Sequence, residues 1–225
     1  MSIHVQKEIA ALKTNLLSLS ALVEESVHGA IRSLCGHDAR RARVIVETDL
    51  QIDTREVYLE EECQKLLALF QPVAHDLRLI IAVLKINAEL ERIGDEAVKI
   101  AEHVLTAKLD TVEMPFDFGR MAEKAVAMLH KSIDALIEED AALAYAVIGM
   151  DDEVDEMHHL SRMRIEQYIH ESPELFGVYS HYLGISRGIE RIADHASNIA
   201  ENVIYLIEGV IVRHRTEEYR SRGKS

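Results

Sequence analysis

Two stretches of this chain are near copies of each other, and that duplication constrains every other reading. Leu84–Val104 reads LKINAELERIGDEAVKIAEHV and Leu183–Val203 reads LGISRGIERIADHASNIAENV; at a shift of 99 residues, 11 of the 21 positions are identical. The shared centre is E-R-I-x-D: Glu91, Arg92, Ile93 and Asp95 in one copy, Glu190, Arg191, Ile192 and Asp194 in the other. A helical unit carried twice, with carboxylates four residues apart, points to a symmetric scaffold with two equivalent sites.

Helical periodicity runs through almost the whole sequence, with only three prolines and ten glycines to interrupt it. Ile3–Leu34 is a first amphipathic segment. Gly36-His37-Asp38 breaks it, and Asp38 is placed to cap a second helix that runs to about Phe70. Gln71-Pro72 ends that helix, with Pro72 suited to the first turn of a third, which runs to about Thr106. Lys108–Asp117, which holds Pro115, is a linker. The pattern restarts over Phe118–Glu139, Asp140–His170 and Glu174–His214. Asp140 stands where Asp38 stood, at a shift of 102 that also carries Asp49 and Asp53 onto Asp151 and Asp155. The drop from 102 to 99 predicts a three-residue shortening in the loop near Ser172-Pro173. The expected fold class is therefore all-α: two tandem, pseudo-symmetric three-helix bundles, six long helices in all, over residues 1–107 and 118–214. A linker at 108–117 joins them, and the net-basic stretch 215–225 is expected to be a flexible tail.

Composition removes several functions. A formal net charge of −14 argues against nucleic-acid binding, because the phosphate backbone would repel the chain. The apolar run around Leu77–Ile86 is broken by Arg78 and Lys85 and falls far short of the ~20 residues of a membrane span, so no direct membrane insertion is expected. Cys35 and Cys63 lack any pairing or zinc-ligand spacing and read as reduced thiols of a cytosolic protein. No phosphate-cradling glycine loop or nucleophile elbow is present.

The acids carry the remaining signal. At ~100° per residue, Ile86, Leu90, Ile93, Ala97, Ile100 and Val104 share one face, with Glu91, Asp95 and Glu102 roughly opposite. Glu190, Asp194 and Glu201 repeat that phase in the second copy. The second helix of the first half adds Asp49, Asp53, Glu56 and Glu60; the matching stripe is Asp151, Asp155, His158 and Arg162. If the second and third helices of each half are neighbours, the stripes converge on an outer groove. Hard cations need several oxygen ligands at once, and carboxylates one helical turn apart can share or bridge ions. Solvated acidic faces are the commoner meaning of such stripes.

At these residues the chain resembles the PhoU family of bacterial phosphate-signalling proteins. L-E-R-I-G-D (Leu90–Asp95), I-E-R-I-A-D-H-A-x-N-I-A-E (Ile189–Glu201) and Q-P-V-A-H-D-L-R (Gln71–Arg78) carry the likeness, which covers nearly the whole chain. The resemblance implies an accessory protein rather than an enzyme. It implies two partners, the phosphate ABC transporter ATPase and a sensor histidine kinase, with the phosphate-starvation response held off when phosphate is plentiful. It also implies a cytoplasmic homodimer, peripheral at the inner membrane through its partners. Divalent or trivalent metal ions (iron, zinc, manganese or magnesium) are the implied cofactors. By position, Glu91, Asp95, Glu190 and Asp194 are the leading ligands, followed by Asp49, Asp53, Asp151 and Asp155. Asn198 would add an oxygen in the second half, where the first has Lys99. The alternative reading is a carboxylate-bridged metal-storage protein or metal-dependent enzyme using the same grooves.

Overall fold

Short acidic side chains decide where several helices begin. Asp38 Oδ1 accepts from the Arg41 N–H at 3.0 Å, Asp117 Oδ1 from Arg120 at 2.9 Å, and Asp140 Oδ1 from Leu143 at 3.0 Å. Each satisfies one of the free N–H groups of a first turn. The computed structural model describes residues 3–212. Among them run six α-helices: α1 (Ile3–Cys35), α2 (Ala39–Phe70), α3 (Ala74–Thr106), α4 (Phe118–Glu138), α5 (Ala141–Glu171) and α6 (Phe176–Glu208). Short 3-10 turns at Leu109–Thr111 and Pro173–Leu175 complete the connections.

Three boundaries differ from the sequence reading. Pro72 stands outside α3 rather than in its first turn: the chain is extended at Val73, and the helix starts at Ala74. Ala74 enters the helix with a left-handed backbone (φ 51°), so the chain reverses after Pro72 rather than at it. The last helix starts at Phe176, because Pro173–Leu175 forms a tighter turn. It ends at Glu208 instead of His214, since Gly209 adopts a left-handed conformation (φ 72°) and donates its N–H to the Tyr205 carbonyl. At the shift of 99 Phe176 stands opposite Leu77, so α6 begins three residues later in the repeat than α3. The expected tail at 215–225 lies outside the described residues.

The two three-helix bundles are joined through their third helices. α1 and α2 flank α3, α4 and α5 flank α6, and α3 packs along α6. Ile86, Leu90, Ile93, Ala97 and Ile100 are completely buried, as are their counterparts Ile185, Ile189, Ile192, Ala196 and Ile199. Each such isoleucine or leucine contributes roughly 1.5–3 kcal/mol by leaving water. Where the linker crosses between halves, the Phe118 and Tyr182 rings stack with centroids 5.7 Å apart, and the Tyr182 hydroxyl donates to the Leu109 carbonyl at 3.3 Å. Arg78, which breaks the apolar run at the start of α3, donates from Nε to the Leu206 carbonyl at 2.9 Å and closes the end of α6. None of the described helices is long and apolar enough to cross a membrane.

Candidate metal-binding grooves

The acidic stripes meet as the helical phase requires. α2 and α3 approach closely at Gly94, where a Cβ would stand 3.0 Å from Ile52 Cδ1 and 3.9 Å from Asp49 Oδ1. The glycine thus seats α2 against α3 and brings Asp49 over the E-R-I-x-D turn. Burial pushes the Asp49 carboxyl above its ordinary range, and the charges of Asp53, Asp95 and Glu102 push it further. Glu91 is raised in the same way, first by burial and then by Asp95, Glu56 and Asp53, against some relief from Arg92. Glu56 is raised by burial, Glu60 and Asp53, while its Oε1 accepts from Asn87 Nδ2 at 3.1 Å. The first groove is a set of carboxylates that resist one another's charge.

The second groove keeps the acids but changes their neighbours. Burial, Asp194 and Asp155 raise Glu190, opposed by Arg187 and Arg191. Burial and Asp155 raise Asp194, opposed by His195, Arg191 and His158. Asp151, Asp194, Asn198 and Glu201 line a cavity of about 460 Å³ that also takes in Ser197 and His195. Two buried polar atoms of this wall, His195 Nε2 and Ser197 Oγ, have no hydrogen-bond partner. A buried polar atom left unmatched is costly, and a polar ligand would relieve it. Further along, the stripe departs from the expected pattern. His158 turns its Nδ1 onto Ser186 Oγ at 2.9 Å, and Arg162 pairs with Glu166 at 3.3 Å.

Each copy of the motif arginine ties its groove to the seam between α3 and α6, and Arg191 also borders the cavity of Asp151 and Asp194. Arg92 Nη1 donates to Glu89 Oε1 at 2.8 Å, and Arg191 Nη1 donates to Glu96 Oε1 at 2.8 Å. Glu89 and Glu96 are buried on the seam between α3 and α6, and the sequence reading passed over both. Glu89 Oε2 also accepts from His195 Nδ1 at 2.7 Å and from Asn198 Nδ2 at 3.1 Å. Asn198 therefore commits its amide N–H to the seam while still bordering the cavity of Asp151 and Asp194. Burial alone would raise the Glu89 carboxyl, but the bonds and charges of His195, Asn198 and Arg92 outweigh it and hold it low. Lys99, the counterpart of Asn198, reaches Glu96 at 3.0 Å and Asp95 at 3.8 Å, so a resident cation already shares part of the first motif.

The carboxylates and the amide oxygen suit hard cations, while the imidazole nitrogen in the second groove shifts that set toward zinc or iron. The convergence is looser. Among the described residues, no three His, Cys, Asp or Glu side chains close on a common point that holds an ion as they stand.

Comparison with known proteins accounts for the duplication. The PhoU domain pattern matches twice, over residues 16–104 and 118–203. A phosphate-specific transport system accessory protein PhoU homolog of Pseudomonas aeruginosa is 36% identical over 210 residues, covering 92% of this chain and 86% of that protein. The crystal structure of PhoU from the same organism superposes with a TM-score of 0.86 at 35% identity, over 91% of this chain and 99% of that one. The phosphate transport system regulatory protein PhoU of Streptococcus pneumoniae gives 0.87 at 28% identity, over 92% and 99%.

Proposed function

The chain belongs to the PhoU family, and from that premise we propose that it is a non-enzymatic regulator that holds off the phosphate-starvation response when phosphate is plentiful. It acts as an adaptor between the ATPase of the phosphate ABC transporter and a sensor histidine kinase, and tunes phosphate uptake. It works in the cytoplasm as a homodimer, drawn to the inner membrane by its partners.

The observation that supports an adaptor is the pseudo-symmetric fusion itself. One chain presents two like bundles, each with an acidic groove along its second and third helices, held together by the α3–α6 seam. The grooves differ in their neighbours: Lys99 in the first, and Arg191, His195 and Asn198 in the second. Two related but unequal surfaces suit two different partners.

In this reading the grooves also hold metal ions. Asp49, Asp53, Glu91 and Asp95 hold them in the first, and Asp151, Asp155, Glu190, Asp194 and Asn198 in the second. A bound di- or trivalent ion supplies positive charge where the carboxylates repel one another, and so fixes α2 against α3 and α5 against α6. What favours this is the upward push on Asp49, Glu91, Glu190 and Asp194, together with the unmatched His195 Nε2 and Ser197 Oγ.

The test is affinity capture of the tagged protein from cells grown at high and at low phosphate. Recovery of the transporter ATPase and of a histidine kinase at high phosphate is expected; recovery of neither removes the adaptor. Elemental analysis joined to phosphatase and oxidase assays separates the alternative, since turnover by the metal-loaded protein would make it an enzyme.

A further inference from the structure

A second cleft lies along the α3–α6 seam, apart from the carboxylates assigned above, and it owes its existence to two missing side chains. Gly184 and Gly188 stand one turn apart on α6, where α3 has Lys85 and Glu89. A Cβ on Gly184 would fall 2.3 Å from His103 Nε2, and one on Gly188 would fall 3.2 Å from Ile100 Cγ1. Their bare backbone opens a cleft of about 920 Å³ and admits the His103 ring. There His103 Nδ1 meets His181 Nδ1 at 3.0 Å, with the rings edge to face at 77°.

We propose that His103 and His181 form a two-imidazole site for a borderline transition-metal ion such as Zn²⁺, Ni²⁺ or Co²⁺. Two nitrogens 3.0 Å apart, each bonded at ~2.0–2.1 Å, subtend about 94° at the ion, the angle between adjacent positions of an octahedral or square arrangement. A few tenths of an ångström of opening reaches the tetrahedral spacing. Without metal, one Nδ1–H donates to the other Nδ1; metal binding moves that proton to the Nε2 of its own ring, so that both neutral rings turn an Nδ1 lone pair to the ion. Burial and the neighbouring ring favour that neutral form at His103. Imidazole selects the borderline metals over Mg²⁺ or Ca²⁺.

Three cations, Lys99, Arg187 and Arg191, line the cleft against the carboxylates of Glu96 and Glu102. Lys99 and Arg191 both rest on Glu96, and Arg187 lies close enough to Glu190 to lower its carboxyl. Glu102, beside His103 on α3, lines the same cleft and adds negative potential. The open side of the cleft leaves room for water to complete the coordination. The site is single, because Asn202 and Ala82 stand at the positions matching His103 and His181. Metal there ties α3 to α6, one half of the molecule to the other.

The test uses the full chain with Glu91→Gln, Asp95→Asn, Glu190→Gln and Asp194→Asn, which weakens the grooves. Ni²⁺ and Zn²⁺ are titrated calorimetrically, and the histidine ring nitrogens are followed by ¹⁵N NMR. One equivalent should bind, with two Nδ1 resonances shifting and excess Mg²⁺ failing to compete. His103→Gln and His181→Gln, checked for helicity, should each weaken binding roughly tenfold or more. Unchanged binding in both variants, or loss of all Ni²⁺ and Zn²⁺ binding in the groove-weakened chain, overturns the site. The NMR readout on unsubstituted His103 and His181 serves if either variant fails to fold: unshifted Nδ1 resonances at saturating Ni²⁺ or Zn²⁺ also overturn it.

Discussion

His195 on α6 donates its Nδ1–H to Glu89 on α3 at 2.7 Å, so the imidazole beside one acidic motif is oriented by a buried carboxylate of the opposite half. The pair is asymmetric within a nearly symmetric scaffold. At the shift of 99, His195 answers to Glu96 and Glu89 answers to Gly188. The mirrored contact is therefore Glu96 lying near Gly188, with Glu96 Oε2 3.6 Å from where a Cβ would sit. One side of the seam is closed by the His195–Glu89 hydrogen bond, and the other, where Glu96 meets Lys99 and Arg191, is left as an open cleft.

Glu89 sets a pH dependence. Its carboxyl is held below the ordinary 4.5 in the folded protein, so its contribution is fully present above that value and is lost as pH falls through the folded pKa. Glu89→Ala should cost about 3 kcal/mol at pH 7, since it strands buried partners. Urea unfolding at pH 7 and at pH 3.5 should give a smaller penalty at the lower pH. Equal penalties would show that the pair does not govern acid stability.

The grooves titrate with the opposite sign. Asp49, Glu91, Glu190 and Asp194 carry raised folded values, so their mutual repulsion is present above those values and fades as pH falls and the folded protein takes up protons. Glu91→Gln should stabilise the metal-free protein by a few tenths of a kcal/mol. It should also shrink the rise in melting temperature that Mn²⁺ or Zn²⁺ brings to the unaltered chain. Thermal unfolding with and without each ion checks both arms.

Phe118→Ala removes a fully buried ring stacked on Tyr182. The expected loss is about 3–4 kcal/mol in denaturant unfolding. Tyr182→Phe keeps the stack and loses only the bond to Leu109, so it should cost about 1 kcal/mol.

Asp140→Ala should cost about 1 kcal/mol through loss of the cap on α5. Asp140→Asn should recover most of it. A loss shared by both variants would mean that charge, not capping, is what matters at this position.

The parts of this molecule legible in its sequence are those fixed by local rules. Asp38 and Asp140 mark helix starts because a cap acts within three residues, and the acids of α2 and α3 converge because helical phase carries them. Glu89 and Glu96 were invisible for the complementary reason. Each lies near the apolar arc of α3, and its partner sits about a hundred residues away on α6. No spacing rule links Glu89 to His195 or Arg191 to Glu96. The His103–His181 contact was equally hidden, because it depends on Gly184, whose missing side chain carries no signal until α3 lies against it. The end of α6 was misjudged because Val210, Ile211 and Val212 continue the apolar rhythm past Gly209, and the glycine's left-handed backbone overrides it.

Because α3 and α6 bury each other, either half of this chain alone would leave one face of its third helix uncovered. A fragment ending in the linker would expose the flank of Ile100 that rests on Gly188, and would leave the Glu89 and Glu96 carboxylates without His195 and Arg191. Such a fragment has one ready remedy, which is to find a second copy of itself. The covalent tandem makes that encounter permanent, and it lets the two sides of the seam accumulate different residues, as a pair of identical subunits cannot.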